Sequence, residues 1–156
     1  MPYIISWSGK VPGGSVCRQL VSQIDVMATI ASIVGYELPA DQAEDSHDLQ
    51  PLITGVTKKS SRSAHVHNTR DREYAIRSGD WTLIDTKNGY VSGRNVEWET
   101  KYGYTLDDSE AGQLFHIKND DGQRKNVINE HAEKALQLKA LLKHIREQGH
   151  SAPRLE

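Results

Sequence analysis

The stretch Glu73-Tyr74-Ala75-Ile76-Arg77-Ser78-Gly79-Asp80-Trp81-Thr82-Leu83-Ile84-Asp85 decides the fold. Glu73–Arg77 alternates between polar and apolar side chains, and Trp81–Asp85 alternates again. Between them, Ser78-Gly79-Asp80 has the chemistry of a turn. Two alternating runs around a glycine-containing turn predict a β-hairpin with one face turned to a core. Upstream, Ala64–Asn68 reads as a further strand. Downstream, Leu114-Phe115-His116-Ile117 reads as another, closed by the turn residues Asn119-Asp120-Asp121-Gly122. Asn129 has the chemistry of a helix cap, and Ala132, Ala135, Leu138, Leu141, Leu142 and Ile145 then fall on one helical face, ending at Gly149. The segment 64–156 therefore predicts an α+β unit: a small antiparallel sheet of about four strands with helix 129–148 packed across it.

The N-terminal side has a different character. Pro2-Tyr3-Ile4-Ile5-Ser6-Trp7 reads as an apolar strand suited to burial on both faces. It ends in Ser8-Gly9-Lys10-Val11-Pro12-Gly13-Gly14-Ser15, which is turn chemistry, and Val16–Val21 is extended or begins a helix. Asp25 is read as the N-cap of a buried helix over residues 26–34, with Val26, Met27, Ile30, Ile33 and Val34 at helical spacing and Gly35 as its stop. Residues 36–63 read as a polar connection with an apolar anchor at Leu49, Leu52 and Ile53. The run Lys58-Lys59-Ser60-Ser61-Arg62-Ser63 is expected to be an exposed basic loop, and 86–112 shows little pattern.

Composition narrows the function classes. The chain has 156 residues, 19 Lys plus Arg against 21 Asp plus Glu, and a formal net charge of −2. Such a balance gives no general attraction to nucleic acid. The apolar runs are too short to span a bilayer, and no signal peptide opens the chain. The single cysteine, Cys17, excludes an internal disulfide and a multi-cysteine zinc site, and is read as a small, inert, buried residue.

Five ordered motifs and the chain's tail resemble the C-terminal region of the type I, formylglycine-dependent sulfatases of the alkaline-phosphatase-like superfamily. Pro2–Lys10 resembles the family's proline–isoleucine–tryptophan–glycine segment, with Ser8 where proline is usual. Val21–Thr29 is similar to its aspartate-led helix start, with Ala28 replacing proline, and Asp48–Gly55 to the leucine–proline–leucine segment that follows. Tyr74–Ile84 resembles its arginine–glycine–aspartate–tryptophan hairpin, with Thr82 for lysine. Leu114–Asn126 resembles a strand-and-turn motif ending in asparagine, from which Phe115, His116, Asp121 and Gln123 depart. Gly149-His150-Ser151-Ala152-Pro153 is similar to the tail of many bacterial members.

The resemblance implies a family that hydrolyses sulfate esters with a formylglycine nucleophile and a calcium or magnesium ion held by Asp and Asn oxygens. Neither is assigned to this chain. Cys17 is followed by Arg18-Gln19-Leu20-Val21, which lacks the small residue and arginine that formylglycine formation requires. Ser151-Ala152-Pro153-Arg154-Leu155 comes nearer, but Leu155 stands where arginine belongs, and the match is read as chance in a frayed tail. Asp120-Asp121-Gly122 lacks the further ligands of a calcium loop and fits a strand-closing turn. No catalytic or metal residue is expected here, because those family motifs lie upstream of the region resembled.

One site remains. His65 and His67 flank Val66 on a predicted strand, so both project to one face. In several family members a histidine before this hairpin lines the substrate pocket, which makes this pair the candidate substrate-binding residues. Arg77 is read as structural, paired with Asp80 or packed on Trp81, and Trp81 as core; Lys10 is read as a surface lysine.

The expected organisation is a terminal strand and helix of an α/β catalytic domain over 1–35, a connection over 36–63, and a C-terminal subdomain over 64–156. Segment 1–35, cut from its sheet, is expected to be poorly ordered, to re-dock, or to self-associate. The expected function is the C-terminal portion of a sulfuric ester hydrolase, completing its fold and one wall of the cleft. It would meet the sulfate ester through a catalytic domain this chain lacks, and would be inactive alone, with no nucleic-acid or membrane partner. The alternative is a stand-alone binding or assembly module for sulfated glycans or a partner subunit. Localisation rests on the resemblance alone, which implies the periplasm or secretion.

Overall fold

The structure, a computed structural model, describes residues 3–70, 73–86, 95–104 and 111–153. Met1, Pro2 of the predicted first strand, most of the patternless 86–112 segment, and Arg154 and Leu155 lie outside the described residues. The chain forms two compact units, Met1–Ser63 with Gly149–Glu156, and Ala64–Gln148.

The second unit follows the sequence pattern closely. Its sheet has the order β1 (Ala64–Arg70), β2 (Glu73–Ser78), β3 (Trp81–Ile84), β4 (Gln113–His116), with every neighbouring pair antiparallel. The hairpin forms where alternation predicts it. Ser78 pairs with Trp81 across Gly79-Asp80, and Gly79 takes φ +57°, which glycine adopts without Cβ strain. Beyond β4, Asn126 stands in for a missing ladder partner. Its Oδ1 accepts from the Leu114 and Ile128 amides at 2.9 and 3.1 Å, and its Nδ2 donates to the Gly112 carbonyl at 3.2 Å.

Register sorts the side chains into two faces. Val66, Ile76, Leu83 and Leu114 form one cross-strand row, and Ala64, Ser78, Trp81 and His116 the next. Helix Ala132–Gln148 covers this face, burying Ala135, Leu138 and Leu142 in one core with Ala64, Ile76, Leu83, Leu114 and Ile128. Trp81 lies at its margin, edge-on to His116 and His131 with ring centroids 4.5 and 5.0 Å away. It is a packing residue, as the sequence reading held. The helix starts later than Asn129 promises. Residues 128–130 form a turn, the Glu130 and His131 amides donating to the Val127 carbonyl, and the first helical bond runs from Ala135 to His131. Asn129 therefore caps nothing. Asp120 closes the preceding turn by accepting from the Arg124 and Lys125 amides. A short helix, Val96–Lys101, stands where no pattern was read. Asn95 caps it by accepting from the Trp98 amide at 2.9 Å, and Glu97 and Glu99 suit its N-terminal dipole.

The first unit is mostly irregular, and here the structure corrects the sequence reading. Tyr3–Trp7 makes no ladder with any described strand, and Ile4 is 89% exposed. An apolar strand has no reason to be extended and buried where no neighbouring sheet accepts its hydrogen bonds. Helix Val26–Val34 does form, and Gly35 closes it at φ +69° with the Tyr36 amide donating to the Ala31 carbonyl. It is not buried as predicted. Its only buried residues are Thr29 and Ala31. A second short helix, Gln50–Ile53, follows the anchor Leu49, which is fully buried, while Leu52 and Ile53 are half-buried. These four helices are named α1 (Val26–Val34), α2 (Gln50–Ile53), α3 (Val96–Lys101) and α4 (Ala132–Gln148) below.

Candidate functional site

The sheet face opposite α4 carries the predicted pair. On β1, His65 and His67 stand side by side, their rings stacked at 5.7 Å between centroids and 21° between planes. His65 is half-buried and His67 exposed. The row through His65 continues to Arg77, Thr82 and Phe115; the row through His67 continues to Ala75, Ile84 and Gln113. Ala75, Thr82, Gln113 and Phe115 on this face are buried, and the two imidazoles stand on β1, the edge strand of the sheet.

Arg77 is the residue this reading misplaced. Trp81 pairs with Ser78 and lies on the α4 face, whereas Arg77 pairs with His65 and lies on the other. The guanidinium stem thus cannot pack on Trp81. No ion pair joins Arg77 to Asp80 either, and its buried Nε has no hydrogen-bond partner. Directly opposite residues in an antiparallel pair have Cβ atoms about 5 Å apart. A permanent cation therefore stands across from the first of two stacked imidazoles, a donor set suited to an oxyanion. The signal was available: a period of two places 77 and 81 on different faces.

A second polar cluster lies inside the first unit and was not read from the sequence. Asp25 is fully buried, and so is Arg62, the last basic residue of a run expected to be exposed. Arg62 Nε donates to Asp25 Oδ2 at 3.1 Å, its Nη2 donates to Asp25 Oδ1, and the same Nη2 reaches the Asp45 carbonyl. The Asp25 carboxylate also accepts from the Ser22 amide at 2.8 Å and the His47 amide at 3.0 Å. It therefore does not cap α1 with its side chain; it ties Ser22, His47 and Arg62 to the helix start. Burial raises the Asp25 pKa, but the Arg62 hydrogen bond, the two backbone donors and the Arg62 charge outweigh it and hold the carboxyl below its usual range. Burial, and then the Arg62 charge, push the pKa of the neighbouring His47 down. The tail is pinned here too, contrary to the frayed end expected. The Ser151 amide and hydroxyl both donate to Asp45 Oδ1, at 2.8 and 2.7 Å, and Ala152 is buried. Both Asp25 carboxylate oxygens are taken up in this cluster, which ties the unit together, whereas both ring nitrogens of the buried His47 have no hydrogen-bond partner among the described residues.

Cys17 is free and exposed, not buried, because the segment around it has no regular structure. Lys10 is exposed, as expected. Among the described residues no three His, Cys, Asp or Glu side chains converge as a metal-ligand set. No helix among the described residues is long and apolar enough to cross a membrane.

The chain is 28% identical over 146 residues to the N-acetylgalactosamine-6-O-sulfatase of Bacteroides thetaiotaomicron, covering 94% of this chain and 27% of that protein. It is 31% identical over 140 residues to the steryl-sulfatase of Mus musculus, covering 83% of this chain and 22% of that one. A solved structure described under glycosaminoglycan metabolism by Bacteroides thetaiotaomicron superposes with a TM-score of 0.65 at 24% identity, over 84% of this chain and 26% of that chain. The chain thus spans about a quarter of the length of the proteins it matches. No protein-family model matches it.

Proposed function

We propose that this chain, which is related to the sulfatases over most of its length, forms the C-terminal portion of a sulfuric ester hydrolase and lends His65 and His67 to the sulfate end of its substrate. The observation that carries this reading is the stacked imidazole pair on the sheet face opposite the core, with Arg77 across the ladder from His65. A sulfate ester presents several anionic oxygens. N–H donors and a fixed cation aimed at one small volume bind such a group through charge-assisted hydrogen bonds, each worth about 1.5–3 kcal/mol.

On this reading, the chain's own residues bind and orient. Thr82 and Phe115 continue the cross-strand row of His65 and Arg77 as buried residues. The sulfatases to which the chain is related use a formylglycine and a divalent metal. Those groups would come from outside the residues described here, and the chain alone would not turn over substrate.

The test is an NMR titration of the chain with N-acetylgalactosamine 6-sulfate, following all seven histidines. The expected result is a saturable shift of His65 and His67 alone, absent with the unsulfated sugar and at least tenfold weaker in the His65→Ala, His67→Ala double variant. Equal shifts from sulfated and unsulfated sugar would overturn the site. Retention on heparin at physiological salt, lost in the same double variant, would move the reading to a free-standing module for sulfated glycans.

A further inference from the structure

The segment Asn95–Tyr104 spends its aromatic residues away from the core. Trp98 and Tyr102 stand four positions apart, so one turn of α3 brings them to one face. After α3 the chain turns back at Gly103, the Tyr104 amide donating to the Glu99 carbonyl at 2.9 Å, and Tyr104 returns to the same place. The Trp98 ring lies 4.7 Å from that of Tyr102 and 5.4 Å from that of Tyr104 between centroids, at 42° and 33° between planes. Asn95 fixes the other end by accepting from the Trp98 amide. None of the three rings joins the core that α4 closes, and Trp98 and Tyr102 leave 49% and 47% of their surface to solvent. Clustered rings held in place and left uncovered mark a binding surface.

The size and chemistry of the cluster select its occupant. Trp98 and Tyr102 together offer roughly 200 Å² of ring surface. A stable protein interface takes about 800 Å² from each partner, so the patch is sized for one small ring and not for a folded protein. Its rim is polar, with Asn95, Glu97 and Thr100 exposed beside the rings. Lys101 adds a cation at the border, its Nζ 5.7 Å from the centroid of the Tyr102 ring. A pyranose ring meets all of these features. Its C–H bonds, polarised by the neighbouring oxygens, stack on the negative face of an aromatic ring. Its hydroxyls hydrogen-bond to the rim, and an anionic substituent meets the ammonium. A purely apolar ligand would leave the rim and the lysine unused, and a bare anion would leave the rings unused. We propose that Trp98, Tyr102 and Tyr104, with Lys101 at their edge, form a carbohydrate-binding platform that takes one sugar ring of an anionic glycan. It is a second site, carried by the connection between β3 and β4, whereas His65 and His67 stand on β1. It does not depend on the sulfate-binding role proposed for that pair, because no residue of α3 takes part there.

The experiment titrates the full chain with a chondroitin 6-sulfate hexasaccharide and follows the indole N–H resonances of its three tryptophans by NMR. The expected result is a saturable shift of Trp98 with Trp7 and Trp81 unmoved. Affinity read at that resonance should fall by about threefold or more in Lys101→Gln, which leaves every ring in place, while the desulfated hexasaccharide binds both proteins equally. In the Trp98→Ala, Tyr102→Ala double variant, affinity measured by calorimetry should fall by about tenfold or more. Its thermal midpoint should be unchanged, because these rings lie outside the core. The platform is overturned by a silent Trp98, by equal shifts of all three indoles, or by equal affinity in the double variant. A Trp98 shift that follows protein concentration with no sugar present overturns it too, making the rings a contact between copies of the chain. Sulfated and desulfated chains bound alike, with or without Lys101→Gln, overturn the choice of an anionic glycan. The two sites separate in the same spectra. A Trp98 shift that persists in the His65→Ala, His67→Ala variant, with both histidines silent in the unaltered chain, keeps the platform and sinks the sulfate site. Shifted histidines with a silent Trp98 do the reverse.

Discussion

Asp25 and Arg62 show how much one residue pair can hold. Both ends are buried, the contact is two-pronged, and the carboxylate also gathers two backbone amides. Removing one partner leaves an uncompensated buried charge, which costs about 3–5 kcal/mol. Arg62→Ala should therefore unfold Met1–Ser63 at a lower denaturant concentration than any substitution at the exposed Lys58 or Lys59; equal midpoints would show that water reaches the pair. Acidity should act in the same place. The folded-state pKa of Asp25 lies below 3.8 and that of His47 below 6.5, so the unfolded chain binds more protons at both sites. Stability is then full above the unfolded values and is lost as pH falls through the folded ones. Hydrogen exchange of the first unit should begin to loosen below about pH 6.5, from His47, and again below about 3.8, from Asp25. The upper step should vanish in His47→Leu. A unit that loosens with rising pH instead would refute the assignment.

Elements succeed here where their local pattern and their surroundings agree. The β2–β3 hairpin has alternation, a glycine turn and a core under one face, and it forms where those signals put it. The approach to β4 depends on a tighter constraint. Gly112 has φ +100°, and a Cβ built there would stand 2.5 Å from the Ile84 carbonyl oxygen. Gly112→Ala should destabilise the second unit by about 1–3 kcal/mol, because both the backbone angle and the β3 carbonyl resist it. Thermal unfolding with an unchanged midpoint would mean that β4 has shifted to make room. Elements fail the prediction where a partner is missing. Tyr3–Trp7 has the side chains of a buried strand and no sheet to join; α1 has the periodicity of a buried helix and an uncovered stripe.

Two units with different degrees of internal completeness make up the molecule. Ala64–Gln148 has a sheet, a covering helix and a closed core. Met1–Ser63 with Gly149–Glu156 is held by a polar cluster and leaves much of its apolar surface outward. A fold portion about a quarter the size of its relatives, without the nucleophile motif, should bind and not react. The full chain given 4-nitrocatechol sulfate should release product no faster than buffer. Turnover that follows the protein through purification would place a nucleophile among these residues and overturn the division of labour proposed here.

The hairpin, the C-terminal helix, the facing of His65 with His67 and the kinship with sulfatases were all legible in the linear order of residues. Each depends on spacing within a short window, and backbone geometry turns a spacing of two or of three to four into a shared face without reference to the rest of the chain. Arg77's true face was legible too, by the same rule. What the tertiary structure decided was which faces find a cover and which distant residues meet. Asp25 and Arg62 lie 37 positions apart, and Ser151 lies 106 from Asp45. Periodicity announces an apolar stripe on α1 but carries no record of what packs against it. Burial is a relation between segments, and only the folded chain, with the surface it leaves uncovered, expresses it.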